Sequence, residues 1–134
     1  MFSKNRNKAP NRIDTLISSE TRIDGDIHFT GGLRVDGTVR GNVTESVTPS
    51  TLVLSESGRI EGAITVSQVV INGKVIGPVQ ALQFIELQPK SRVTGDVNYK
   101  SLEMHTGAVV EGKLVYLGDS AGESTVDSLL AIKD

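Results

Sequence analysis

Apolar and polar residues alternate along most of this chain, and glycine interrupts the alternation at regular intervals. The recurring unit is apolar–x–Gly–x–apolar. It occurs six times: Ile23-Asp24-Gly25-Asp26-Ile27, Val39-Arg40-Gly41-Asn42-Val43, Ile60-Glu61-Gly62-Ala63-Ile64, Val75-Ile76-Gly77-Pro78-Val79, Val93-Thr94-Gly95-Asp96-Val97 and Val110-Glu111-Gly112-Lys113-Leu114. The six glycines lie 16, 21, 15, 18 and 17 residues apart. A second pair precedes each unit: Thr15 and Ile17, Leu33 and Val35, Leu52 and Leu54, Val69 and Ile71, Ile85 and Leu87, Leu102 and Met104. Turn formers fill the gap between pair and unit, as in Asp36-Gly37, Ser55-Glu56-Ser57-Gly58, Asn72-Gly73, Gln88-Pro89-Lys90-Ser91 and Thr106-Gly107. Each repeat therefore predicts strand, tight turn, strand, with period-2 alternation inside the strands.

A repeat of ~17 residues cannot bury a face alone and gains a core only by stacking on its neighbours. Alternating β-branched residues and recurrent Gly argue against helices. The geometry that fits is a parallel β-helix of about six coils. At ~4.8 Å per coil the rod is roughly 25–30 Å long. The pattern places this all-β domain at residues 13–117, between a disordered basic arm (1–12) and a flexible tail (118–134). Thr44–Ser50 is extra to the repeat and reads as a loop bulging from the rod. The apolar stripe Val126, Leu129, Leu130 and Ile132 lies in the tail. The motif glycine shares parity with its apolar neighbours, so it is expected to bend the strand or to free volume at a tapered edge of the core. Arg22, Arg59, Lys74 and Arg92 precede the units, and Asp24, Arg40, Glu61 and Glu111 fall two residues later. Stacking predicts exposed charge ladders there, each pair contributing well under ~1 kcal/mol.

Composition sharpens this picture. Only 37% of the 134 residues are hydrophobic and 4% aromatic, with no Trp, which suits a narrow core of mid-sized side chains. There is no cysteine, so disulfides and thiolate metal sites are excluded. No apolar run reaches the ~18 residues of a membrane span, and no signal-peptide h-region is present. The net charge is −2; Lys4, Arg6, Lys8 and Arg12 give the first twelve residues +4, leaving −6 on the remainder. An acidic body speaks against nucleic-acid binding, while the arm suits an anionic partner.

The chain offers little to catalysis. His28 and His105 are its two histidines, at non-equivalent repeat positions, so a three-imidazole metal centre is excluded. There is no phosphate-binding Gly-x-x-x-x-Gly-Lys-[Ser/Thr], and Gly31-Gly32 does not continue into a calcium-binding nonapeptide. No acid/base pair or nucleophile emerges, so no catalytic residue, cofactor or metal is assigned.

What remains is the geometry of a rod. Each end exposes unpaired backbone and a cross-section of core, and such edges are assembly sites unless capped. No cap is evident. The first coil offers Leu16 and Ile17; the last offers Leu102, Met104, Val110 and Leu114, followed by Tyr116 and Leu117. At about 25 cal/mol/Å², a few hundred Å² of apolar surface yields several kcal/mol per joint before entropy losses. Such a filament needs no nucleotide, and like ends meeting would make it non-polar. In the arm, Met1 and Phe2 form an apolar wedge beside Lys4, Arg6 and Lys8. One such arm binds an anionic leaflet weakly, at ~1 kcal/mol per basic residue, but a filament carrying many arms binds by avidity.

The six repeats from Ile23 to Leu114, the entry Leu16-Ile17-Ser18-Ser19-Glu20-Thr21-Arg22-Ile23-Asp24-Gly25 and the opening Met-Phe-Ser-Lys together resemble the bactofilins, bacterial polymer-forming cytoskeletal proteins. The resemblance implies a single-stranded right-handed parallel β-helix that assembles through its two ends into nucleotide-independent, non-polar filaments. It implies peripheral attachment to the inner face of the cytoplasmic membrane through Met1, Phe2, Lys4, Arg6 and Lys8. It also implies a scaffold for cell-wall synthesis or hydrolysis enzymes and other determinants of cell shape. The polymerisation role maps onto Leu16, Ile17, Leu102, Met104, Leu114, Tyr116 and Leu117. Many relatives carry longer Pro-rich tails, which this chain lacks. The alternative is a β-helical enzyme such as a hexapeptide-type acyltransferase. That class requires a strict six-residue period, whereas the glycine spacing here wanders from 15 to 21. A carbohydrate-binding or lyase-like β-helix would show an aromatic or acidic groove.

Overall fold

The structure is a computed structural model that describes residues 12–118. The arm residues Met1, Phe2, Lys4, Arg6 and Lys8 and the tail stripe at Val126, Leu129, Leu130 and Ile132 lie outside the described residues.

The described chain winds six times, and each coil has three strand segments rather than the two expected. Coil 1 holds β1 (Thr15–Ile17), β2 (Arg22–Asp24) and β3 (Ile27–Phe29). Coil 2 holds β4 (Gly32–Val35), β5 (Thr38–Arg40) and β6 (Val43–Glu45). Coil 3 holds β7 (Thr51–Leu54), β8 (Arg59–Glu61) and the start of β9 (Ile64–Ile71). The end of β9, β10 (Lys74–Ile76) and the start of β11 (Val79–Leu87) make coil 4. Coil 5 is the end of β11, β12 (Arg92–Thr94) and β13 (Val97–Tyr99). Coil 6 is β14 (Leu102–Met104), β15 (Val109–Glu111) and β16 (Leu114–Tyr116). All pairings are parallel and join neighbouring coils. The extra strand arises because the Gly-x pair of each unit is a corner and not the middle of a strand. β9 and β11 run on from the third face of one coil to the first face of the next, where no turn former intervenes.

The register stacks like on like. Leu33, Leu52, Val69 and Ile85 form one inward column and Val35, Leu54, Ile71 and Leu87 a second. Val39, Ile60, Val75 and Val93 form a third, and Val43, Ile64, Val79 and Val97 a fourth. All sixteen side chains are 0–1% exposed. Burying each contributes about 1.5–3 kcal/mol.

Of the two roles expected for the motif glycine, the bend is seen at the corner, with positive φ at Gly25, Gly62, Gly77 and Gly95, while the glycine column itself follows from backbone contact and not from a taper of the core. A Cβ placed at Gly41, Gly62, Gly77, Gly95 or Gly112 would sit 2.1–2.5 Å from the carbonyl oxygen of the motif glycine one coil below. Backbones stack so closely at this corner that no side chain fits between them. Gly25, in the first described coil, has nothing among the described residues within 4 Å of the same position.

The next column along the corner shows how its backbone is satisfied. Asp26 Oδ1 accepts the Asn42 N–H at 2.8 Å, Asn42 Oδ1 accepts the Ala63 N–H at 2.9 Å, and Asp96 Oδ1 accepts the Lys113 N–H at 2.9 Å. Ala63 supplies no acceptor, and the residue stacked over it is Pro78, which has no N–H to satisfy.

The extra segment is partly strand: Thr44 and Glu45 belong to β6, and Ser46–Ser50 forms the loop. Glu45 anchors that loop. Its carboxylate accepts from Ser50 N at 3.0 Å, Thr48 Oγ1 at 3.0 Å, Ser67 N at 2.8 Å and Ser67 Oγ at 2.6 Å. Burial works to raise its pKa, but these hydrogen bonds outweigh it and hold the carboxyl below its usual range.

Candidate assembly surfaces at the ends of the solenoid

The two ends of the rod differ. At the C-terminal end the inward columns run out into solvent. Met104 continues the Val35 column yet is 42% exposed, and Leu114 continues the Val43 column yet is 44% exposed. Leu102 and Val110 are half-buried for the same reason. Val115, Tyr116 and Leu117 add exposed apolar surface beside them. Tyr116 stacks over Tyr99 with ring centroids 6.0 Å apart and planes tilted by 54°. Among the described residues β14, β15 and β16 each pair on one side alone, so their outer backbone edges point off the end.

The N-terminal end is more nearly closed. Ile17, expected at an interface, is 6% exposed and belongs to the core, as does Phe29 at 8%. Ile23 and Ile27 are half-buried. Leu16 is 55% exposed, but its register partner is Arg34, so it stands on the outer column of the first face and not on the cross-section. The seven expected interface residues therefore do not form two equivalent patches. Leu102, Met104, Leu114, Tyr116 and Leu117 gather at the C-terminal end, while Leu16 and Ile17 point to opposite sides of one strand.

The lateral surfaces are solvated. On the second face Arg22 pairs with Asp24 at 3.0 Å, Arg59 with Glu61, and Arg40 with Glu61 at 3.7 Å. The Arg59 hydrogen bond holds the Glu61 carboxyl below its usual range. Two of these pairs join residues two apart on one strand and only Arg40–Glu61 bridges coils, while Arg59, Lys74 and Arg92 stack as like charges, so the expected inter-coil ladders are largely replaced by pairs within a strand. One constellation the residue alternation does not show is Glu86, Glu103 and His105. Glu86 comes from coil 5 and Glu103 and His105 from coil 6, and they meet only through the coil register, which sets Glu86 opposite Glu103. His105 Nε2 lies 2.9 Å from a Glu86 oxygen and 3.3 Å from a Glu103 oxygen. His28 stands apart, exposed on the third face.

Comparisons with known proteins match the parallel β-solenoid. The family model "Bactofilin: Polymer-forming cytoskeletal" matches residues 15–115. The chain belongs to the bactofilin family. It is 32% identical to bactofilin BacO of Myxococcus xanthus over 101 residues, covering 75% of this chain and 78% of that protein. It is 27% identical to bactofilin BacP of the same organism over 117 residues, covering 87% of this chain and 47% of BacP. The atomic structure of the cytoskeletal bactofilin BacA, from solid-state NMR, superposes with a TM-score of 0.67 at 32% identity, covering 77% of this chain and 96% of that one. This bactofilin is accordingly a polymer-forming cytoskeletal protein and not an enzyme, and the acyltransferase alternative falls away. No helix among its described residues is long and apolar enough to cross a membrane.

Proposed function

We propose that this bactofilin polymerises end to end without nucleotide, chiefly through the C-terminal end of its solenoid, into non-polar filaments that scaffold morphogenesis at the membrane. The observation that carries the joint is the exposure of Met104 and Leu114 at the ends of columns that are sealed from Val35 to Leu87 and from Val43 to Val97. Two such ends meeting about a two-fold axis bury the cross-section of both and bring the outer edges of β14 and β15 together, and a joint between like ends leaves the filament without polarity. Like ends must also meet at the N-terminal side for the filament to continue. There the contribution comes from backbone edges and from Ile13, 40% exposed, more than from an open core.

Attachment to an anionic leaflet, on the cytoplasmic face of the cell membrane, is assigned to Met1, Phe2, Lys4, Arg6 and Lys8. The support is the +4 charge of the first twelve residues against −6 on the rest. Weak single arms summed along a polymer bind by avidity. A polymer fixed there is suited to positioning cell-wall synthesis or hydrolysis enzymes and other shape determinants. Deleting residues 2–8 is expected to abolish co-sedimentation with anionic liposomes while filaments persist; unchanged pelleting would remove the membrane assignment. Leu114→Glu is expected to abolish filaments and keep the β-rich circular dichroism. Loss of that spectrum would mean the residue serves the fold and not the joint.

A further inference from the structure

We propose that Glu86, Glu103 and His105 form a site for a divalent transition-metal ion of borderline softness, Zn²⁺ being the type, which clamps the last coil to the one beneath it. Each residue offers one ligand atom: Nε2 of His105 and a carboxylate oxygen from each glutamate. The three atoms all lie within 4.8 Å of one another. Ligand atoms ~2.0–2.2 Å from a tetrahedral Zn²⁺ are separated by about 3.3–3.5 Å from each other. The observed His105–Glu103 separation of 3.3 Å matches the lower end of that range, and the His105–Glu86 separation of 2.9 Å is slightly shorter, so these two ligand atoms must part by a few tenths of an ångström to admit the ion.

The backbone holds these ligands in place. Glu86 and Glu103 are register partners on β11 and β14, and the His105 N–H donates to the Leu87 carbonyl at 2.9 Å. Gln88 Nε2 donates to the same Glu86 oxygen at 3.3 Å, giving that ligand a second partner. Two carboxylates directly opposite across a ladder repel, and a cation between them turns that repulsion into attraction. The site is partly screened, with side-chain exposures of 23% for Glu86, 37% for His105 and 57% for Glu103. Imidazole with carboxylates favours Zn²⁺ and its neighbours in the transition series over Mg²⁺ or Ca²⁺, which prefer all-oxygen shells. On binding, the ring carries its proton at Nδ1 and presents the Nε2 lone pair to the metal, replacing the present contact with Glu86. The fourth position stays open to water or to a ligand from another molecule. Because Glu103 and His105 flank Met104, the clamp stiffens the coil that carries the open end.

The test is equilibrium dialysis of the full-length polymer against Zn²⁺, with Co²⁺ absorption as a spectroscopic probe of tetrahedral N/O ligation. The expected result is Zn²⁺ bound with Mg²⁺ in excess, and affinity lowered roughly tenfold or more in both His105→Gln and Glu86→Gln. His28→Gln should leave binding unchanged. Far-UV circular dichroism of each variant establishes that the solenoid is intact. Absence of Zn²⁺ binding in the wild type would overturn the proposal, as would binding that survives both substitutions or depends on His28.

Discussion

Replacing Gly77 by Ala tests the most specific structural statement made here, that the glycine column exists because backbones touch between coils. The new Cβ would lie 2.3 Å from the Gly62 carbonyl oxygen. A tolerable contact is about 3 Å, so coils 3 and 4 must part locally by about 0.7 Å. Two hydrogen bonds bridge these coils at that corner, Gly62 N to Ile76 O at 2.9 Å and Ile64 N to Pro78 O at 3.0 Å. Opening by that amount stretches both past about 3.5 Å, where they cease to count as hydrogen bonds. Losing two, at about 1 kcal/mol each, is joined by strain from a φ of +143°, about 1–3 kcal/mol for a non-glycine residue. The expected destabilisation is about 3–5 kcal/mol. Gly25→Ala is the internal control. Its φ is +137°, so the strain is similar, but nothing among the described residues lies within 4 Å of the added carbon. It should lose only the strain component. Urea unfolding followed by far-UV circular dichroism measures both variants against the wild type. Equal destabilisation of the two would refute axial crowding and return the glycines to a purely conformational role.

Other outcomes follow from single side chains. Ser91 is 1% exposed and its hydroxyl has no hydrogen-bond partner among the described residues, while Ala108 stands one coil above it; Ser91→Ala should stabilise the fold by up to about 1 kcal/mol in the same unfolding assay. Glu45→Gln should destabilise by about 1–3 kcal/mol at pH 7, since hydrogen bonds to a charged acceptor from Ser50 and Ser67 are weakened. The folded-state pKa of Glu45 lies below its ordinary 4.5, so its contribution is complete above that value and fades as pH falls through the depressed one. The gap between wild type and Glu45→Gln should therefore narrow between pH 5 and strongly acid solution; a gap independent of pH would contradict the role given to the carboxylate.

Much of the solenoid was legible because its signal repeats. The spacing of Leu33 and Val35 before Val39, and of Ile85 and Leu87 before Val93, assigns inward columns that the ladder reproduces rung for rung. The third strand was not legible. Period-2 parity runs through the glycine as though the strand continued; the glycine marks a bend, but the contact from the coil below that makes it a full corner leaves no local trace. Leu16 and Ile17 were expected together at one interface, yet neighbouring residues of a strand face opposite sides. The inequality of the ends depends on how far each core column extends, as the contrast between Ile17 and Leu114 shows. The Glu86–Glu103–His105 group has no motif at all and exists only once coils 5 and 6 are set in register.

The central claim is assembly through solenoid ends. Electron microscopy of the purified full-length protein without nucleotide, across salt and protein concentrations, measures it most directly. Filaments without polarity, with subunits alternating in direction along the axis, are the predicted result. Monodisperse particles under every condition, or filaments in which every subunit points the same way, would contradict it.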